Sequence, residues 1–297
     1  MIWFLKVFLY FVFVINKINK MKIILYISYF LLILTLFFLK IENNIFLKIV
    51  FLSCSLILFY VNIIETNILI VKNISINTWF KSKNILISDL HFWYFKKPFF
   101  AERLVNKLNK IEAENIFIAW DLVYKPDVNK IWKLFKSFKK INKNIYFVLW
   151  NHDVENNIKN YLIKELKNLW FNYIDNKIIN FWSYKLIWLW DRWSNNDDIL
   201  LINNFWKNDN IIVLTHNPDT ILKYENHIAD LTLCWHTHWW QIRIPYFYKK
   251  VIPTKWNFDK WLSYLDKTIL YISSWLWETW LPTRFLNFPT IDIINTF

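Results

Sequence analysis

Glycine is absent from this 297-residue chain, where about 7% of residues, or roughly 20, would be usual. A globular fold without it lacks the cheap route to positive φ angles and to close backbone approach. Cysteine is scarce as well. Of the two present, Cys54 lies in an apolar run and Cys234 beside a histidine motif. That placement supports neither a disulfide framework nor a cysteine-based zinc site. Acidic residues are outnumbered, 23 Asp and Glu against 36 Lys and Arg, for a formal charge of +13. Such a balance ordinarily suggests nucleic acid or an anionic surface as partner. Here Lys, Asn, Ile, Phe and Tyr are all abundant, and all have A/T-rich codons. Base composition therefore accounts for the lysines, and nucleic acid is not expected as a partner.

One excess mirrors the missing glycine: tryptophan occurs 20 times. The pairing is read as UGA glycine codons rendered as tryptophan, with a genuinely Trp-rich protein as the alternative. The codons at positions 120, 150 and 235 distinguish the two.

Residues 23–39 carry no charge, and residues 45–64 carry only Lys48 near one end. Each approaches the roughly 20 residues needed to cross a bilayer, and the short polar hinge KIENN joins them. They are read as a helical hairpin anchor within residues 1–65. Residues 2–15, interrupted by Lys6, form a third span, an interfacial helix, or upstream sequence if translation starts at Met21. No small-residue cleavage site marks a signal peptide. Two spans leave Lys17, Lys20 and Lys22 on the same side as everything after residue 65. Lys72, Lys81 and Lys83 lie on that side too, so the positive-inside tendency puts the C-terminal part in the cytoplasm of a bacterial inner membrane.

From residue 66 to 297, short apolar runs alternate with Lys/Asn-rich amphipathic stretches, the pattern of an α/β domain. Strands are predicted at 84–88, 115–119, 145–149, 185–190, 211–214, 231–234 and 269–273. Helices are predicted near 99–113, 127–141 and 156–169. Polar residues follow the strands in order: Asp89 and His91 after the first, Asp121 after the second, and Asn151, His152 and Asp153 after the third. His216 follows strand 211–214, and His236 and His238 follow strand 231–234. Ligands of open α/β sheets gather at such strand ends.

With tryptophan read as glycine, the series becomes D-x-H, G-D, G-N-H-D, H and G-H-T-H. That order and spacing resembles the calcineurin-like metallophosphoesterases, over roughly residues 82–295. Residues 233–245 and 271–285, read the same way, look like the membrane-associated bacterial branch that includes UDP-2,3-diacylglucosamine pyrophosphatase-like enzymes. The resemblance implies an αββα sandwich, two mixed sheets flanked by helices, behind the membrane anchor. It implies one metal ion held by Asp89, His91, Asp121 and His238, and a second by Asp121, Asn151, His216 and His236. A bridging carboxylate such as Asp121 can share its charge between two cations. Nitrogen and oxygen donors suit two divalent ions of Mn, Fe or Zn. His152 is implied as the non-ligand histidine acting on the phosphoryl or leaving oxygen. Asp153 either orients it or caps local backbone amides. The expected activity is hydrolysis of a phosphoester or pyrophosphate bond by metal-activated water, on a phosphorylated small molecule or lipid-linked substrate near the membrane. The alternatives are a nuclease or phosphodiesterase on nucleic acid, and a non-catalytic metal-binding domain on a membrane anchor.

Overall fold

The computed structural model describes residues 20–41, 43–88, 90, 98–119, 122, 135–149, 158–189, 209–223, 229–235, 242–246, 258, 262–266, 268–274, 276 and 283–297. Among the described residues two apolar helices come first, α1 (Lys20–Ile41) and α2 (Ile45–Phe59), the latter capped by the Asn44 side chain, which accepts from the amides of Phe46 and Leu47. The helix continues past Phe59 as a wider turn at Tyr60–Ile64 and a tighter one at Glu65–Asn67. From Ile45 to Asn67 it is 23 residues long, apolar enough by length and composition to cross a membrane. At 1.5 Å per residue that is about 34 Å, against a hydrocarbon core of about 30 Å. The two helices form a hairpin. Thr35 and Ser55 share a buried hydroxyl hydrogen bond across it, and Phe38 stacks on Phe51.

Among the described residues, twelve strands follow in two sheets of six. The first sheet is ordered β1 (Ile70–Ile76), β12 (Thr290–Thr296), β2 (Ser82–Ser88), β3 (Asn115–Ala119), β4 (Asn144–Phe147), β5 (Phe171–Tyr173). The second is ordered β10 (Leu262–Leu265), β11 (Thr268–Ile272), β9 (Leu231–Cys234), β8 (Ile211–Thr215), β7 (Lys185–Leu189), β6 (Ile178–Asn180). The central strands, β2 to β5 in one sheet and β7, β8, β9 and β11 in the other, run parallel. Strands covered on both faces read as near-continuous apolar runs, as do Ile116–Ala119 in β3 and Ile211–Leu214 in β8.

Alternation then sorts the side chains. Leu86, Phe117, Leu186, Ile212, Leu214, Leu231 and Leu233 meet between the sheets. Ile85, Ile87, Ile116, Ile118, Ile145 and Phe147 face outward and are covered by α3 (Pro98–Lys110) and α4 (Lys159–Lys167) through Leu104, Leu108, Leu162 and Leu166. Ile187, Leu189, Ile211, Val213, Leu270 and Ile272 form the outer face of the second sheet, with Ile221 and Ala229 packed on it. The mixed α/β reading with two multi-stranded sheets and helices is what the structure has.

All seven predicted strands are present, within about two residues at their ends. Helix 99–113 is α3, and helix 156–169 is represented by α4. Of the predicted helix 127–141, residues 127–134 lie outside the described residues, and Lys136–Lys140 forms a short 3-10 turn. Strands β1, β5, β6, β10 and β12 are additional to the sequence reading. β5 and β6 have three residues each, and β1 carries Lys72, Asn73 and Ser75 among its apolar positions.

Candidate metal centre

The two sheets are pinned together at both ends, and the pins give their strands a common direction. Near the starts of β2, β3 and β7, the Tyr184 hydroxyl and the Asn115 amide both donate to Asn84 Oδ1, at 3.1 and 3.0 Å. Burial pushes the Tyr184 phenol well above its ordinary range, so it stays a donor. At the other end the Ser88 hydroxyl donates to Ser273 Oγ at 3.4 Å, and the Leu276 amide donates to the Ser88 carbonyl at 3.0 Å. The C-terminal ends of β2, β3 and β4 therefore share one edge of the sandwich with those of β8, β9 and β11.

Each sequence motif begins at that edge. Asp89, His91, Asp121, Asn151, His152, Asp153, His236 and His238 lie outside the described residues. Their described chain neighbours Ser88, Leu90, Ala119, Leu122, Leu149 and Trp235 are all buried, so the chain leaves a packed interior directly into each motif.

His216 is described, and it is buried at the end of β8. Its carbonyl accepts the Trp235 amide at 3.3 Å, and the Cys234 carbonyl accepts the Ser273 amide at 2.8 Å. These bonds tie β8, β9 and β11 together beyond their last ladder pairs. The loop after His216 is held locally. Asn217 Oδ1 accepts the Asp219 amide at 2.9 Å, the Asn217 carbonyl accepts the Thr220 amide, and Thr215 and Thr220 bond through their hydroxyls. Asn217 is thus an Asx turn of the kind its side chain favours. The result is an imidazole with little conformational freedom beside the point where β9 runs into His236.

The donor set can be judged on one observation. Cys234 packs on the outer face of its sheet, its thiol donates toward the Tyr271 carbonyl, and burial, with Asp219 nearby, pushes its pKa well up. A thiol so placed is inert. That leaves imidazole, carboxylate and amide donors, which fit a pair of divalent ions of borderline hardness. Among the described residues, no group of three His, Cys, Asp or Glu side chains forms a metal site by itself.

Polar groups unnoticed in the sequence also gather at this edge. Asp292 on β12 is fully buried between the sheets and accepts the Ser273 hydroxyl at 2.6 Å, one bond from Ser88. Burial raises its pKa, opposed by that hydrogen bond and by Lys72. Lys72 is its register partner on β1, and desolvation draws its pKa down to about 8, with Asp292 opposing and Arg243 adding to the shift. A lone charged residue within the apolar run T-I-D-I-I was the available signal.

No protein-family model matches the chain. Over 86 residues, 28% of its length, it is 34% identical to a Bacillus subtilis (strain 168) protein described as the uncharacterized metallophosphoesterase YkuE. The chain spans 30% of that relative. The similarity supports the general metallophosphoesterase family, the one the motif order resembles, and the two-sheet α/β fold is consistent with it.

Proposed function

We propose that this protein is a binuclear-metal phosphoesterase that hydrolyses a phosphoester or pyrophosphate bond of a membrane-associated or lipid-linked substrate. The observation that carries the reading is the common edge at which β2, β3, β4, β8 and β9 end, each followed in sequence by one motif of the set. In this reading Asp89, His91, Asp121 and His238 hold one divalent ion, and Asp121, Asn151, His216 and His236 the other. The ions, when bound, would supply Lewis-acid charge and lower the pKa of water at neutral pH. His216 contributes a fixed, buried imidazole. His152 stabilises phosphoryl oxygens or gives a proton to the leaving oxygen, and Asp153 orients it. The buried neighbours of the motifs keep bulk water from the inner side of the site.

The membrane part of the proposal rests on the apolar helix Ile45–Asn67, and the cytoplasmic side on Lys17, Lys20, Lys22, Lys72, Lys81 and Lys83, against which stand Lys40 and Lys48 in the opposing loop. The glycine part finds support at Trp170, whose φ of 67° is a conformation that glycine adopts without penalty.

The test uses full-length protein in detergent with added Mn, assayed on 4-nitrophenyl phosphate and bis(4-nitrophenyl) phosphate, with bound metal measured by plasma mass spectrometry. Asp121→Ala and His216→Ala should each lose bound metal and lower kcat by at least about a hundredfold, equivalent to roughly 2.7 kcal/mol of barrier. Unchanged rates and metal content in both variants would refute the assignment.

A further inference from the structure

The first strand of the domain begins where the apolar helix ends, and its position in the sheet fixes which edge that is. Asn67 closes the helix and β1 starts at Ile70, paired with Thr290 of β12. β12 runs antiparallel to β2, with Asp292 opposite Leu86, so the register continues to bring Thr290 level with Ser88. Ile70, Thr290 and Ser88 therefore lie abreast on neighbouring strands. At about 4.8 Å per strand, the start of β1, three residues past the end of the helix, is roughly 10 Å from the C-terminal end of β2. The far ends of the same strands, Ile76 and Thr296, lie about 20 Å away.

The helix is fastened there. The Val61 carbonyl accepts the Arg284 amide at 2.8 Å, Asn62 bonds to Thr283, and buried Glu65 accepts the Asn287 amide at 2.6 Å. From the outer face, α3 adds Arg103 to the Asn67 carbonyl at 2.9 Å and Lys107 to the Leu69 carbonyl at 3.0 Å. Above these contacts the helix is open to its surroundings. Ile45, Phe46, Ile49, Leu56 and Ile57 are each more than half exposed. The sixteen residues Ile45–Tyr60 above these contacts, about 24 Å of helix, form with α1 an apolar hairpin whose open surface suits one occupant, the hydrocarbon interior of a bilayer.

We infer that the strand-end edge of the sandwich faces the bilayer, so that the site takes phosphate esters whose phosphorus lies at headgroup level and whose apolar tail stays in the membrane. The inference rests on the phosphoesterase reading for the word site, and on the described helix and strands for its orientation. A domain bound to its anchor through Glu65, Asn62 and Arg284 presents a constant face to the surface, unlike one on a flexible tether. A substrate confined to the surface then meets the site at high effective concentration.

Two measurements on full-length protein reconstituted in phosphatidylcholine and phosphatidylglycerol vesicles test it. In a Cys54→Ser, Cys234→Ala background, single cysteines replace exposed Leu286 at the near edge, exposed Phe297 at the far edge and, as a second far site, Asn77. Each carries an environment-sensitive fluorophore, and the vesicles contain a headgroup-nitroxide lipid. The label at 286 should be quenched several-fold more than those at 297 and 77; equal or reversed quenching overturns the orientation. The second measurement compares hexadecyl 4-nitrophenyl phosphate, held in the bilayer, with ethyl 4-nitrophenyl phosphate in solution. An apparent kcat/KM at least about tenfold higher for the long-chain ester is expected, and a ratio of one or below overturns the substrate class. If neither ester is cleaved faster than by Asp121→Ala, the phosphoesterase reading fails and quenching alone judges the orientation.

Discussion

Replacing Trp170 by glycine should make the protein more stable, an unusual expectation for the loss of a large side chain. Trp170 sits just past α4, after the Asn168 cap, and its amide donates to the Lys167 carbonyl at 2.9 Å. This is the place where helices commonly end on a left-handed residue, most often glycine. Its φ is 67° and its side chain is 90% exposed, so the indole offers little packing in return. A non-glycine residue in that conformation costs about 1–2 kcal/mol, while glycine's added freedom in the unfolded chain costs about 0.4–1 kcal/mol. The net gain is about 0.5–1 kcal/mol, a rise of roughly 1–4 °C in Tm for a domain of this size. The assay is differential scanning calorimetry of the full chain in detergent. Trp79→Gly is the control: it too is 90% exposed, but its φ is not positive, so it should lower Tm. Equal losses in both variants would refute the claim that the backbone at 170 asks for glycine. Protein purified from its native source gives the direct comparison, since peptide masses distinguish glycine from tryptophan at each position.

Other consequences follow from the buried polar groups. Asp292 has a raised pKa from burial, so the folded state binds more protons than the unfolded one. Its contribution to stability therefore falls as pH rises above the unfolded value of about 3.9. Asp292→Asn should match the wild type near pH 4 and be the more stable of the two at pH 7; a gap that does not change with pH, read from denaturation midpoints, would exclude this titration. Glu65→Ala removes the acceptor for the buried Asn287 amide and should cost about 1–3 kcal/mol. In vesicles it should also narrow the quenching difference between positions 286 and 297. Leu214→Ala, between the sheets, should cost about 2–5 kcal/mol in thermal or denaturant unfolding. Cys234 should resist iodoacetamide in the folded protein at pH 8 and react once unfolded, since its thiol is buried and its pKa is pushed up.

Much of this was readable from local pattern. Residues 116–119 and 211–214 are uninterrupted apolar runs and 231–234 is broken only by Thr232, and runs of that length bounded by polar residues read as doubly covered strands. The motif residues were equally visible, because each directly follows such a run. β1 and β12 were not. IVKNISI carries lysine, asparagine and serine, and TIDIINT carries aspartate, so neither shows the periodicity of its neighbours; they are strands because they pair with each other and with β2.

What sequence alone determined, then, is seven of the strands and the residue types placed after them, together with two apolar runs ahead of them and a composition of 20 tryptophans and no glycine. Composition and periodicity are local properties, and they were enough for that. Which strand ends meet is a different matter, because β1 and β12 lie some 220 residues apart in the chain and their pairing is recorded in no short window. That long-range pairing buries Asp292 beside Lys72 and brings the start of β1 abreast of the C-terminal end of β2, while the contacts of Ser88 with Ser273 and Leu276 align the strand ends of the two sheets along one edge.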